Sequence, residues 1–307
     1  MHLAPPSNVR PPAPIVLTVD LEDYFQVSGF EDVVPREHWT SFESRIESNT
    51  QRLLEILAAT HARATFFVLG WAAERNGALV RRIHESGHEI ACHSYEHRLV
   101  YQCTPANFRD DTRKAKQILE DLIGQPVLGY RAPSFSITRK SLWALDILIE
   151  ERFEYDSSIF PILRDRYGIP GAPRFPFAAM CGAAREIVEV PPSTVRLWGA
   201  TLPVGGGGYL RLMPESLFRW AVRRIVCTEG RPAVLYLHPW EIDPEQPRIR
   251  NGSSLSTFRQ YVNLHTTAGK LRRLLSTAPA VSVRELLSGR TGQPMQTFSI
   301  DAITSSQ

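Results

Sequence analysis

Short, mostly apolar runs alternate with amphipathic stretches along nearly the whole of this chain, and that alternation is the strongest constraint on its fold. Extended segments are predicted at 15–19 (IVLTV), 64–69 (ATFFVL), 88–92 (HEIAC), 127–130, 186–190 and 233–237 (AVLYL). Runs that lack polar alternation suit strands covered on both faces. Between them, 46–59 places Ile46, Leu53, Leu54 and Leu57 at helical spacing. Further helices are predicted at 71–86, stopped by Gly87, and at 105–123, closed by Gly124. Others run from a Thr138 cap to about 151, over 215–228 and over 257–275, with 281–283 extended before a short last helix.

Strands that alternate with helices imply a parallel sheet with helices packed over it, an α/β fold. Seven or eight strands fit a (β/α) barrel better than a short open sheet, with an open doubly wound sheet as the alternative. The stretch 160–210, rich in Pro and Gly, breaks the rhythm and reads as an insertion over one mouth of the barrel. Residues 239–290 read as a C-terminal extension packed on it. Residues 1–14 hold five prolines and read as a disordered or extended arm, and 291–307 as a disordered tail. One domain is left, 15–290.

Charge and cysteine usage remove several function classes. The net charge of +3 balances 35 basic against 32 acidic residues, which argues against a nucleic-acid partner. The pairs Arg81-Arg82, Arg223-Arg224 and Arg272-Arg273 lie within helical patterns and read as solvated faces. Cys92, Cys103, Cys181 and Cys227 form no CxxC pair, so neither a disulfide framework nor a cysteine zinc site is indicated. Cys92 and Cys227 lie in apolar runs and read as small core residues. No apolar run is long enough to cross a membrane, and the N-terminus lacks the order of a secretory signal. The default location is the cytoplasm, with peripheral membrane association left open.

Several chemically capable groups fall at strand ends. His93-Ser-Tyr-Glu-His97 follows one strand, and histidines four apart share one side of a helical turn, a spacing that brings two imidazoles to one metal ion. Asp20-Leu-Glu22-Asp23 ends the first strand and offers a carboxylate ligand beside a carboxylate base, although a turn or capping cluster would look the same. His238 ends 233–237, and Arg131-Ala-Pro133 follows another short strand, where an arginine can orient a carboxylate. Asp156 sits in or beside a fifth extended segment. Each is ambiguous alone: two surface histidines, a lone core histidine and a capping aspartate are common. In a parallel barrel all these ends converge on one face. Gly205 to Gly208 has no following Lys-Ser/Thr and is no phosphate loop; it reads as a flexible part of the insertion.

In order, Thr18-Val-Asp20, Gly87-His-Glu-Ile-Ala-Cys-His93-Ser-Tyr-Glu-His97, Arg131-Ala-Pro133, Tyr155-Asp156 and Leu237-His238 resemble the motifs of the polysaccharide deacetylase family of carbohydrate esterases. The tracts 18–25, 238–248 and 258–264 are similar to members found with bacterial exopolysaccharide and exosortase systems. The resemblance implies a distorted seven-stranded β/α barrel and removal of N-acetyl groups from an amino-sugar polysaccharide. It makes Asp20 the base, His93 and His97 metal ligands, and His238 the general acid. Arg131 and Asp156 match the residues that orient base and acid. It also implies one divalent ion, zinc first, with cobalt, nickel or iron as substitutes, and a backbone N–H after Pro133 facing the oxyanion. Many members have a second aspartate after the base, whereas Leu21 stands here. A subgroup uses a carboxylate two residues on, which gives Glu22 as third ligand and Asp23 as the alternative. An O-acetyl esterase or another carbon–nitrogen hydrolase on the same site, and a non-catalytic sugar-binding module, are the rival readings.

Overall fold

The computed structural model of the protein describes residues 12–164, 167–181, 185–290, 292 and 294–300. The strands are β1 (Ile15–Leu21), β2 (Thr65–Val68), β3 (Glu89–Cys92), β4 (Gly129–Tyr130), β5 (Tyr155–Asp156) and β6 (Phe177–Cys181). They continue as β7 (Arg185–Glu189), β8 (Thr194–Leu197), β9 (Ala200–Pro203), β10 (Ala233–Leu237), β11 (Ala280–Val281) and β12 (Gln296–Ser299). The helices are α1 (Ile46–Ala59), α2 (Gly70–Arg75), α3 (Gly77–Glu85), α4 (Pro105–Ile123) and α5 (Trp143–Glu150). They are followed by α6 (Gly207–Leu212), α7 (Glu215–Arg223), α8 (Ser254–Tyr261), α9 (Leu264–Leu275) and α10 (Val283–Ser288).

Strands β10-β1-β2-β3-β4-β5-β7 lie side by side in that order, every neighbouring pair parallel. Neighbouring strands stand about 4.8 Å apart, so β1 and β4 would be about 14 Å apart in a flat sheet. Arg131, one residue past β4, nevertheless puts Nη1 2.7 Å from Oδ1 of Asp20 in β1. Tyr155 of β5 donates its hydroxyl to Glu89 of β3 at 2.9 Å, and its ring lies 6.3 Å from that of Phe67 in β2. The sheet therefore curls around a common interior. Alternate residues face that interior: Val16, Phe67, Ala91, Tyr155, Val190 and Val234 form one buried cluster, closed below by Val283 and Leu286 of α10. The other faces pack on the helices, where Leu53, Leu54 and Leu57 of α1 and Ala115 and Leu119 of α4 are buried. Each leucine buried there contributes about 1.5–3 kcal/mol.

Between β7 and β10 no ladder is present among the described residues. The gap is spanned by the Ser193 N–H donating to Val234 O at 3.0 Å and the Tyr236 N–H donating to Gly205 O at 2.7 Å.

Several segments differ from expectation for local reasons. The helix predicted at 71–86 is two, because Asn76 leaves helical geometry (φ −126°, ψ 41°) and its side chain donates to Ala72 O. That predicted at 257–275 breaks at Asn263, which is left-handed. Thr138 opens a turn, and α5 starts only at Trp143. The helix expected at 215–228 ends as a π-helix over Arg224–Thr228, which turns Cys227 out to solvent instead of into the core. The 160–210 stretch is not set apart as an insertion. Its β7 is the seventh parallel strand and β6 pairs antiparallel with it, while β8 and β9 form a small separate hairpin. The tail is not wholly disordered either: β12 pairs with β6, Phe298 packs on Phe177, and Ile300 is buried. Residues 1–11 and 301–307 lie outside the described residues, so most of the expected arm and the end of the tail do too. None of the described helices is long and apolar enough to cross a membrane.

Candidate active site

The inward-facing positions of the strands continue upward into one polar layer. Along β1 the series Val16, Thr18 and Asp20 leads to Glu22; along β3, Glu89 and Ala91 lead to His93; along β10, Val234 and Tyr236 lead to His238. Period two along a strand brings these side chains to one mouth. Asp20, Glu22, His93, His97 and Arg131 are all buried.

Arg131 lies wholly inside the ring. Its Nη1 donates to Asp20 Oδ1 (2.7 Å) and Thr18 Oγ1 (2.8 Å), its Nη2 to Ser157 Oγ (2.7 Å), and its Nε to the Ser157 carbonyl (3.2 Å). The guanidinium stacks 4.1 Å above the Phe67 ring. Oδ1 of Asp20 is thus held, and Oδ2 is the oxygen that looks toward His238 Nε2, 3.9 Å away.

The two histidines meet, but not across a helical turn. Residues 93–98 form a loop in which Ser94 (φ 60°) and His97 (φ 55°) are left-handed. Non-glycine residues take that conformation only where their surroundings impose it. Here Asp111 of α4 accepts the N–H groups of Tyr95 (2.7 Å) and Glu96 (3.0 Å), and Arg36 donates to the carbonyls of Glu96 and His97. The helical spacing expected from His-x-x-x-His is replaced by this clamped turn.

Ligand atoms of Glu22, His93 and His97 lie within 4.8 Å of one another. His93 Nδ1 stands 2.7 Å from the Arg131 carbonyl, which cannot donate, so Nδ1 carries the proton and Nε2 keeps a free lone pair. A carbonyl behind the distal nitrogen is the arrangement metal-bound imidazoles use. Burial pushes His93 down to about 4, despite the nearby Asp20 carboxylate. Glu22 Oε2 lies 2.7 Å from His97 Nε2 and is otherwise buried without a hydrogen-bond donor. Burial alone would raise Glu22, but His97, His238 and His93 hold it down to about 2. An orphaned anionic oxygen and a lone-pair nitrogen facing one point fit a divalent cation. Asp23 is placed elsewhere: Oδ1 accepts from Tyr24 N, and Oδ2 from Ser44 Oγ and Arg45 N, at the start of α1.

His238 projects from the end of β10, its ring stacked on Trp240. Its Nε2 is 3.4 Å from Glu22 Oε1, and its Nδ1 is 2.8 Å from Glu241 Oε1. Burial opposes the charged ring, but Glu241 and Glu22 raise it to about 9. Asp156, which the resemblance pairs with the acid, does not hold it. Its carboxylate accepts from Ser158 Oγ (2.6 Å), and in register it faces Glu189 of β7. Burial raises both carboxyls, Asp156 to about 6 and Glu189 well above its ordinary range, with the Asp156 charge adding to the Glu189 shift. The neighbour Ser157 is what reaches the site, through Arg131. Sequence reasoning missed Ser157, Glu189 and Glu241; the last carried a signal, a glutamate three residues past His238 at capping-box spacing.

Residues 31–148 match the polysaccharide deacetylase family, and residues 157–288 match a domain of unknown function, DUF3473. Residues 31–148 thus carry the likeness to the polysaccharide deacetylase family. The chain is 28% identical over 113 residues to a peptidoglycan deacetylase of Helicobacter pylori, covering 37% of this chain and 38% of that protein. It is 31% identical over 84 residues to a peptidoglycan-N-acetylglucosamine deacetylase of Bacillus cereus, covering 27% and 39%. The match thus spans about two-fifths of the length of these curated relatives. A polysaccharide deacetylase homologue from Mycobacterium smegmatis shares the fold, with a TM-score of 0.61 at 18% identity over 94% of this chain and 97% of that one. His93, His97 and Arg131 fall in the first matched stretch and His238 in the second, while Asp20 and Glu22 precede both.

Proposed function

We propose that the chain is a metal-dependent hydrolase that removes N-acetyl groups from an amino-sugar polysaccharide. The observation that carries this reading is the meeting of Glu22, His93 and His97 at one point beside an arginine-held Asp20 and His238. Glu22, His93 and His97 would hold the ion, zinc being the first choice for two imidazoles and a carboxylate. Bound there, it would acidify water and polarise the acetamide carbonyl.

The protein groups divide the proton traffic. Asp20 takes the proton from the attacking water on Oδ2, because Arg131 occupies Oδ1. Arg131 also keeps the carboxylate fixed in direction. His238 delivers a proton to the nitrogen as the C–N bond breaks, which releases acetate and a free amino sugar. Ser134 and Phe135, two successive left-handed residues after Pro133, turn the Ser134 amide out of the regular pattern, and this is the N–H we assign to the oxyanion. The Glu22 position is supported by its unpartnered oxygen, and the satisfied carboxylate of Asp23 argues against the alternative. The biological setting we infer is exopolysaccharide biosynthesis, supported by the tracts around Asp20 and His238 and by the DUF3473 match.

Acetate release from a panel of N-acetylated and O-acetylated glycans, with and without chelator, tests the reading. Release from N-acetylated polymer that stops with chelator is expected. Release from O-acetyl esters alone would replace it with the esterase reading.

A further inference from the structure

The glycine run Gly205 to Gly208 and the pair Arg211–Glu241 have no part in the chemistry above, yet they are packed directly behind His238. Glu241 is buried, and its two oxygens have separate partners. Oε1 faces His238 Nδ1 (2.8 Å) and accepts the His238 backbone N–H (3.2 Å), while Oε2 accepts from Arg211 Nε at 2.8 Å. Arg211 is buried as well, and its Nη1 donates to the carbonyls of Gln260 and Val262, which tie α6 to the α8–α9 junction. A Cβ at Gly207 would collide with the Glu241 carboxylate, and one at Gly206 would lie 2.7 Å from the Tyr236 hydroxyl. The run is thus the surface that lets β10 and Glu241 come close, not a flexible loop.

We propose that Glu241, braced by Arg211 and admitted by Gly207, is the positioning residue for His238, in the place the family resemblance gives to Asp156. The proposal rests on the general-acid reading of His238. A carboxylate suits the task because it offers one acceptor to each partner. A glutamine has a single carbonyl oxygen, and its NH₂ would face either the imidazole N–H or the guanidinium. Without Glu241, nothing else described holds Nδ1, and the ring is free to turn Nε2 away from the mouth.

The test is a mutant cycle on the full chain, read as acetate release from an N-acetylated glucosamine oligomer, with crystal structures of each variant. Glu241→Gln and Glu241→Ala should each lower kcat about 10- to 100-fold, the range for orienting partners of site imidazoles, with KM and bound metal little changed. In a His238→Ala background, Glu241→Ala should cost less than about twofold more, because the ring it positions is gone. The His238 ring should be rotated in Glu241→Ala. The double variant Glu241→Ala/Arg211→Met removes the unpaired buried arginine if the single variant fails to fold. Equal losses with and without His238, or an unmoved ring, would overturn the proposal. A wild-type protein that releases acetate from nothing would sink the deacetylase reading instead, and the ring position would then decide the positioning role alone.

Discussion

Glu22 and Asp23 are adjacent carboxylates that the fold sends to different work. Glu22→Gln should lose the divalent ion by metal analysis, because it removes the charge on the orphaned Glu22 oxygen. Asp23→Asn should keep the ion and lose about 1–3 kcal/mol of stability, because it strips acceptors from Ser44 and Arg45. Asp20→Asn should keep the ion while turnover falls about 10²–10⁴-fold. Loss of metal from Asp23→Asn but not from Glu22→Gln would reverse the assignment. The Asp156–Glu189 pair gives a pH prediction. Both carboxyls are raised in the folded protein, so the folded state binds more protons than the unfolded chain. Stability from the pair is full below about pH 4 and falls as pH rises through about 6 and beyond. Glu189→Gln removes one titrating group, so its melting temperature should decline less than wild type between pH 5 and 8. A parallel decline would show that the pair does not titrate there. The residue types at the mouth were legible, since Asp20, His93, His97, Arg131 and His238 all stand at strand ends. Partners were less so: that Glu241 and not Asp156 meets His238 depends on how β10 turns into the segment after it, and only the capping-box spacing of Glu241 pointed to it.

At the scale of elements, capping and period were readable and breaks were not. Gly124 after α4 was expected as a C-cap and is left-handed, φ 67°. A Cβ there would meet nothing, so Gly124→Ala tests the backbone alone. It should cost about 1–2 kcal/mol, seen as a lower denaturation midpoint with an unchanged slope. No change would mean that α4 ends without needing the left-handed turn. By contrast, the splits at Asn76 and Asn263 rest on single asparagines in otherwise helical patterns, where propensity differences are well under 1 kcal/mol. Tertiary contacts decide such cases. The strand β7 was legible as the extended segment expected at 186–190, even though its outer residues Arg185 and Glu186 are exposed.

Over the whole molecule, the site joins segments more than 200 residues apart, Asp20 to His238, so an ion held between Glu22, His93 and His97 would clasp the first and third strands of the ring. An ion that binds only the folded chain stabilises it by about 2.7 kcal/mol at a hundred times its Kd. Zinc should therefore raise the melting temperature, a chelator should reverse the rise, and His93→Ala should show neither effect. A shift retained in His93→Ala would place the ion elsewhere. The parallel α/β architecture followed from the alternation of the chain, and the curl that closes it came from contacts such as Tyr155 to Glu89, which no local pattern announces. The interior of that curl is filled: Arg131 lies across it, stacked on Phe67 and bonded to Thr18, Asp20 and Ser157. A polymer consequently has no passage through the ring and can only lie across its mouth. Under the proposed function, a catalyst of that shape would need no chain end and would act on a glycan at interior sugars, the spacing of its marks set by where the strand lands and not by how far it has been fed.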